Sequence, residues 1–189
     1  MLLIDVVRVS EAVTRTSARL GKIGHLAELL GRVGADEAEI AISYLSGELP
    51  QRQVGVGWRT LQDLPAAKLA ATATLTDVDA LLSRIKSVSG QGSQAARKTL
   101  VAQLFAGLTS QEQAFMLKLL GGELRQGALD GVMIEAIAKA SGAPSADVRR
   151  ALTLRGWLPA VGAAALAGGV AELRAFKLEV GRAVSPMLA

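Results

Sequence analysis

The 189-residue chain has no cysteine and a single histidine, His25. Without thiols there are no disulfides and no thiolate metal sites, which fits a reducing compartment. One imidazole excludes a multi-histidine metal centre. Ser-His-Asp catalysis would have to rest on His25 alone. That residue sits in a helical run, 23–30, with no motif around it, and reads as an ordinary surface or packing residue. Aromatics make up only 3% of the chain. No basic patch interleaved with aromatics is present, which argues against stacking on single-stranded bases. No run alternates apolar and polar residues as a strand would. The longest apolar stretch, 157–171, contains Pro159, Gly162, Gly168 and Gly169 and is too short to span a bilayer. It reads as small-residue helix packed inside the fold. The opening Met1-Leu2-Leu3-Ile4-Asp5-Val6-Val7-Arg8 lacks the basic region and unbroken apolar run of a signal peptide. A cytoplasmic protein with no membrane partner is expected.

What is present is helical material. Hydrophobic residues are 50% of the chain, and with so few aromatics the core must be Ala, Leu, Val and Ile. Ala and Leu are strong helix formers, and a chain of this size buries a core without staples. Apolar stripes recur at helical spacing: Leu20, Ile23, Leu26, Ala27 and Leu30; Ile40, Tyr44 and Leu45; Leu100, Val101, Leu104, Phe105 and Leu108; Phe115, Met116, Leu119 and Leu120; Val132, Ile134, Ile137 and Ala138. Pro144 precedes a further helix over 145–154. Thr76-Asp77 offers an N-cap for a helix through Ile85. Residues 62–74 carry Pro65 and an Ala/Thr run without periodicity, and read as a linker.

An internal repeat organises these helices. Shifted by 75 residues, 17–51 lies on 92–126 without a gap. Ala27, Leu29, Glu37, Leu45, Gly47, Glu48, Leu49 and Gln51 fall on Ala102, Leu104, Glu112, Leu120, Gly122, Glu123, Leu124 and Gln126, and Lys22 falls on Arg97. Each copy ends in Gly-Glu-Leu-x-Gln. The expected fold is all-α: a compact multi-helix domain with an internal pseudo-two-fold repeat of helix pairs, the copies spanning about 17–58 and 92–133.

The net charge of +4 is a mild basic excess that permits nucleic acid or an anionic surface and requires neither. The turns after each Gly-Glu-Leu set Arg52, Gly55 and Gly57, and then Arg125 and Gly127, beside glutamines. Taken alone, these read as helix-turn-helix punctuation. The stretch Ser87-Val88-Ser89-Gly90-Gln91-Gly92-Ser93 is more pointed. It runs into a helix whose first turns carry Arg97 and Lys98. A phosphate could rest on that helix N-terminus and be held by the two cations. Through the repeat, Ser17, Arg19 and Lys22 take the matching place in the first copy. Two related phosphate sites on one duplicated domain suit duplex nucleic acid, held through backbone and shape, because no major-groove reading motif is visible. The stretch is no P-loop, since Gly-x-x-x-x-Gly-Lys-[Ser/Thr] is absent.

The blocks Gly47-Glu48-Leu49-Pro50-Gln51-Arg52-Gln53-Val54-Gly55-Val56-Gly57-Trp58 and Gly121-Gly122-Glu123-Leu124-Arg125-Gln126-Gly127-Ala128-Leu129-Asp130-Gly131-Val132-Met133 closely resemble the N-terminal DNA-binding domain of ATP-dependent DNA ligases, especially actinobacterial ones. Ser89-Gly90-Gln91-Gly92-Ser93 is similar to the family's loop before its second helix pair. The ending Gly181-Arg182-Ala183-Val184-Ser185-Pro186-Met187-Leu188-Ala189 resembles the junction to the nucleotidyltransferase domain. The resemblance implies a DNA-binding domain over 1–180 and a junction over 181–189. It implies an all-α fold gripping nicked duplex DNA from the minor groove, mostly through phosphates. It also implies a nucleoid-associated place in the cytoplasm and, as partners, the catalytic domains of the same ligase. The positions it marks for DNA contact are Gly55, Gly57, Ser89, Gly90, Gly92, Ser93, Arg97, Lys98, Arg125 and Gly127. Arg19, Lys22 and Arg52 follow partly through the repeat. Ligases of this type carry AMP on the lysine of a Lys-x-Asp-Gly motif, which this chain lacks. Lys177-Leu178-Glu179-Val180-Gly181 has Glu for Asp and one residue too many. ATP and Mg2+ are therefore expected of the full-length parent, and no cofactor of this chain. Trp157-Leu158-Pro159 departs from the Gly-Asp-Leu of the family. A helical protein-interaction scaffold is the alternative.

Overall fold

The computed structural model describes residues 1–124 and 129–178. These form nine α-helices and one 3-10 turn: α1 (Leu3–Arg15), α2 (Arg19–Leu30), α3 (Ala38–Leu45), the turn Trp58–Leu61, α4 (Leu75–Ser87), α5 (Ser93–Ala106), α6 (Ser110–Leu120), α7 (Leu129–Ser141), α8 (Ser145–Arg155) and α9 (Leu158–Ala175). Extended pairing among the described residues is limited to the isolated bridges Leu2 to Thr74 and Lys68 to Thr109. The fold is all-α, as the Ala/Leu composition and stripe spacing require.

Local chemistry sets the helix limits. The Thr74 side chain accepts from Asp77 N and starts α4 at Leu75. The cap therefore lies two residues ahead of the Thr76-Asp77 reading. Thr76 has a hydroxyl as well, but Thr74 holds the extended backbone that an N-cap needs. Thr109 and Glu112 form a capping box at α6. Gly156, left-handed at φ 70°, closes α8.

α7 packs against α2, α8 and α9, and α9 packs also on α3. The core they enclose is aliphatic, with Tyr44 and Phe105 its bulkiest fully buried members. Gly162 permits the tight seating of α9. A Cβ there would stand 2.4 Å from Ile42 Cδ1 and 2.9 Å from Ile137 Cδ1. α9 is longer than the apolar run suggests. By length and composition alone this 18-residue helix could cross a membrane. Gly169 is non-helical within it, and Leu158, Val161, Ala165 and Leu173 are buried against the core.

Two expectations change. Leu20 belongs by spacing to the first apolar stripe, yet it is 81% exposed. It stands in the first turn of α2, beyond the reach of the helices that cover Ile23, Leu26 and Leu30. The 62–74 segment is irregular but not a free linker. Leu3 N donates to Ala73 O (2.8 Å), Leu75 N to Met1 O (3.1 Å) and Lys68 N to Leu108 O (2.9 Å). It is a strap tied to the first residues of the chain at one end and to the α5–α6 corner at the other.

The helix pairs α2–α3 and α5–α6 occupy the two stretches related by the 75-residue shift. Their closing turns share geometry. Gly47 has φ 73° and Gly122 φ 68°, while Glu48 N reaches Ser43 O and Glu123 N reaches Lys118 O at 2.9 and 2.8 Å. The likeness is local, because α2 packs on α1 and α7 while α5 packs on α4. The two turns meet: a Cβ on Gly47 would lie 2.6 Å from the Leu124 carbonyl oxygen.

Candidate nucleic-acid interface

The site residues fall into two groups. The first surrounds the N-terminus of α5. Gly90 (φ 84°) and Gly92 (φ 79°) are both left-handed, which bends the chain sharply into Ser93, the first residue of the helix. Gly92, the N-cap, has no side chain to satisfy the first-turn N–H groups. Missing side-chain caps are not special in themselves, since α1, α2, α3, α8 and α9 also lack them. α5 combines its bare start with two left-handed glycines just before it and with two cations one turn in. Lys98 is exposed and Arg97 is half-buried one turn in.

Arg97 joins two segments that are distant in sequence. Its Nη2 donates to the Val88 carbonyl, closing the 88–92 loop onto the helix. A Cβ on Gly55 (φ 67°) would lie 3.6 Å from Arg97 Cζ and 3.7 Å from its Nε. The bare backbone of the 50–57 loop thus lies against the guanidinium. Arg97 Nε is enclosed and has no hydrogen-bond partner. Gly57, exposed and with nothing within 4 Å of a notional Cβ, precedes the 3-10 turn, which itself packs on α5. Gly55, Gly57, Ser89, Gly90, Gly92, Ser93, Arg97 and Lys98 therefore come together as an exposed, glycine-lined surface with a positive rim.

The second group lies at the start of α7. Arg19 Nη2 donates to Gly131 O at 3.2 Å. Arg52 is the only non-glycine with positive φ among the described residues (62°). Such a residue costs roughly 1–2 kcal/mol. Burial and the Asp130 carboxylate hold the Glu48 carboxyl above its usual range, while the Arg52 charge pulls it back. Arg52 thus lies in the field of an acidic neighbour, and one Arg19 donor is taken up by backbone. Lys22 stands half-buried one turn along α2. Arg125 and Gly127 lie outside the described residues, as does the 181–189 junction. His25 is exposed on α2.

Sequence reading missed the polar contacts that anchor the 50–57 loop around the buried Gln51. Gln51, 6% exposed, links the 50–57 loop to α4 through Asp79 and Ser83. Lys86 Nζ donates to the Gln51 carbonyl at 2.9 Å. The one signal was the recurrence of glutamine at the end of both Gly-Glu-Leu-x-Gln blocks.

Comparison with known proteins bears on what such a surface serves. The family described as DNA ligase N terminus matches residues 63–138. Over 193 aligned positions the chain is 54% identical to a probable DNA ligase of Mycobacterium sp. (strain KMS), with all of this chain aligned. The chain belongs with the N-terminal regions of DNA ligases. A probable DNA ligase of Mycolicibacterium gilvum (strain PYR-GCK) is 53% identical, and DNA ligase B of Mycobacterium tuberculosis (strain CDC 1551 / Oshkosh) 52%, again over the whole of this chain. This ligase N-terminal region spans 37% of the length of these relatives. The family match includes the α5 loop and Arg97 but begins after Gly55, so it takes in one side of the glycine-lined surface.

Proposed function

We propose that this ligase N-terminal region is a non-catalytic DNA-binding module of an ATP-dependent DNA ligase. It grips nicked duplex DNA from the minor groove through phosphate contacts, so that the longer enzyme can seal the nick. One observation carries the reading: the 50–57 and 88–93 loops converge on Arg97 beside the uncapped N-terminus of α5. Bare backbone, free N–H groups and fixed guanidinium charge on one surface suit a phosphate chain, and such a surface binds without sequence preference. Arg19, Lys22, Arg52, Arg125 and Gly127 would extend the grip along the second strand. Residues 1–180 would form the module, and 181–189 would lead to the nucleotidyltransferase domain.

The chemistry falls to the rest of the longer polypeptide. ATP and Mg2+ are assigned there, because the sequence has no Lys-x-Asp-Gly to carry AMP. The partners are then the nicked duplex and the catalytic domains of the same chain, at the chromosome in the cytoplasm.

The test is a titration of labelled nicked duplex with this chain at several salt concentrations, with an intact duplex beside it. The expected log–log slope corresponds to on the order of 4–8 phosphate contacts. Absence of binding at low salt would overturn the reading in favour of a protein-interaction scaffold.

A further inference from the structure

We infer that Gln51 is the positioning residue of this interface: it fastens the 50–57 loop to α4 and thereby sets Gly55 against Arg97. The inference rests on the DNA-binding reading above. Gln51 Nε2 donates to Asp79 Oδ1 (2.8 Å), Ser83 Oγ (2.9 Å) and, more weakly, Asp79 O (3.3 Å). Its own carbonyl accepts from Lys86 Nζ (2.9 Å). Asp79, Ser83 and Lys86 follow at helical spacing along one side of α4, so the residue is gripped by side chain and backbone at once. The amide orientation is dictated by its neighbour, since a reversed amide would turn its oxygen toward the Asp79 carboxylate.

Helix α4 is a shared frame. It holds Gly55 through Gln51, four residues upstream in the loop. It is followed by its C-cap, Val88, whose carbonyl accepts from the Arg97 guanidinium. With Nε unpartnered, Arg97 owes its orientation to these two walls. Removing the Gln51 amide frees one wall while leaving the α7–α9 core untouched.

Gln51→Glu makes this testable by pH. The groups at the new carboxyl are Asp79, Ser83 and Lys86 from α4; the Tyr44 hydroxyl from α3 lies by Asp79, and the exposed Glu48 and Arg52 flank the position in sequence. Two carboxyls this close share a proton at low pH and repel when both are ionised. Affinity for nicked duplex, relative to the unaltered chain, should stay within about threefold near pH 5 and fall roughly tenfold by about pH 8. The Arg97 Nε–H NMR signal should shift over the same range in the DNA-free protein. Gln51→Leu, which cannot donate, should bind weakly at every pH, with amide protection in α7 and α9 kept in both variants. A pH-independent affinity ratio together with an unmoved Arg97 signal overturns the inference. If the unaltered chain fails to bind DNA, the functional reading falls, and the Arg97 signal alone decides whether Gln51 sets the cradle.

Discussion

Gly47→Ala and Gly122→Ala form a matched pair that measures the meeting of the two Gly-Glu-Leu turns. Both glycines are left-handed, at φ 73° and 68°. An alanine at either costs roughly 1 kcal/mol of backbone strain. The more restricted unfolded chain returns roughly 0.4–1 kcal/mol in both cases, so that part cancels from the difference. The surroundings do not cancel. A Cβ on Gly47 meets the Leu124 carbonyl oxygen at 2.6 Å, whereas nothing lies within 4 Å of one on Gly122. The obstacle is backbone, so the turns must separate, at a cost of about 1–3 kcal/mol on the scale of overpacked sites. For a chain of this size each kcal/mol moves Tm by about 2–4 °C. Thermal unfolding followed by circular dichroism should place Gly47→Ala roughly 2–12 °C below Gly122→Ala. Equal midpoints would refute the claim that the turns touch.

Three further outcomes follow from the same geometry. Arg97→Ala and Lys98→Ala should each make the salt slope of duplex binding shallower by about 0.9 for every phosphate no longer neutralised, measured by fluorescence titration. Gly162→Ala should lose about 1–3 kcal/mol in urea unfolding, since its methyl group would press on Ile42 and Ile137. Burial, with the nearby Asp79 charge adding to it, holds the Tyr44 hydroxyl well above the usual tyrosine range. The unfolded chain then loses this proton first. Stability should be intact below about pH 10 and decline as pH rises beyond it, and Tyr44→Phe should flatten that alkaline slope.

Much of this architecture is written in local periodicity. The runs at 23–30, 101–108, 115–119 and 132–138 are helical because their apolar residues fall on one face, and the pattern needs no knowledge of partners. Contacts between distant residues leave no such trace. Nothing near Gly55 announces Arg97, and nothing in the Ala/Thr run of 62–74 announces that it pairs with Leu2 and Leu3. Leu20 continues its stripe in sequence but has nothing above it in space. The α5 loop was legible because glycine, serine and paired cations sit together within one short segment. Gln51 was not, because a glutamine in a polar turn looks solvent-facing until α4 is folded against it.

The strap has a kinetic meaning. Its hydrogen bonds join Lys68 to Leu108 and Ala73 to Leu3, yet it has no helix of its own to support it beforehand. Each contact must wait for both of its ends to exist, so loop closure is completed before any stabilisation follows. The helix pairs can form from neighbours in sequence. The strap then orders late in folding and opens early in unfolding, as a latch across helices already in place. Exchange of the Lys68 and Leu75 amides would accordingly time the latch, while exchange in α7 would time the whole domain.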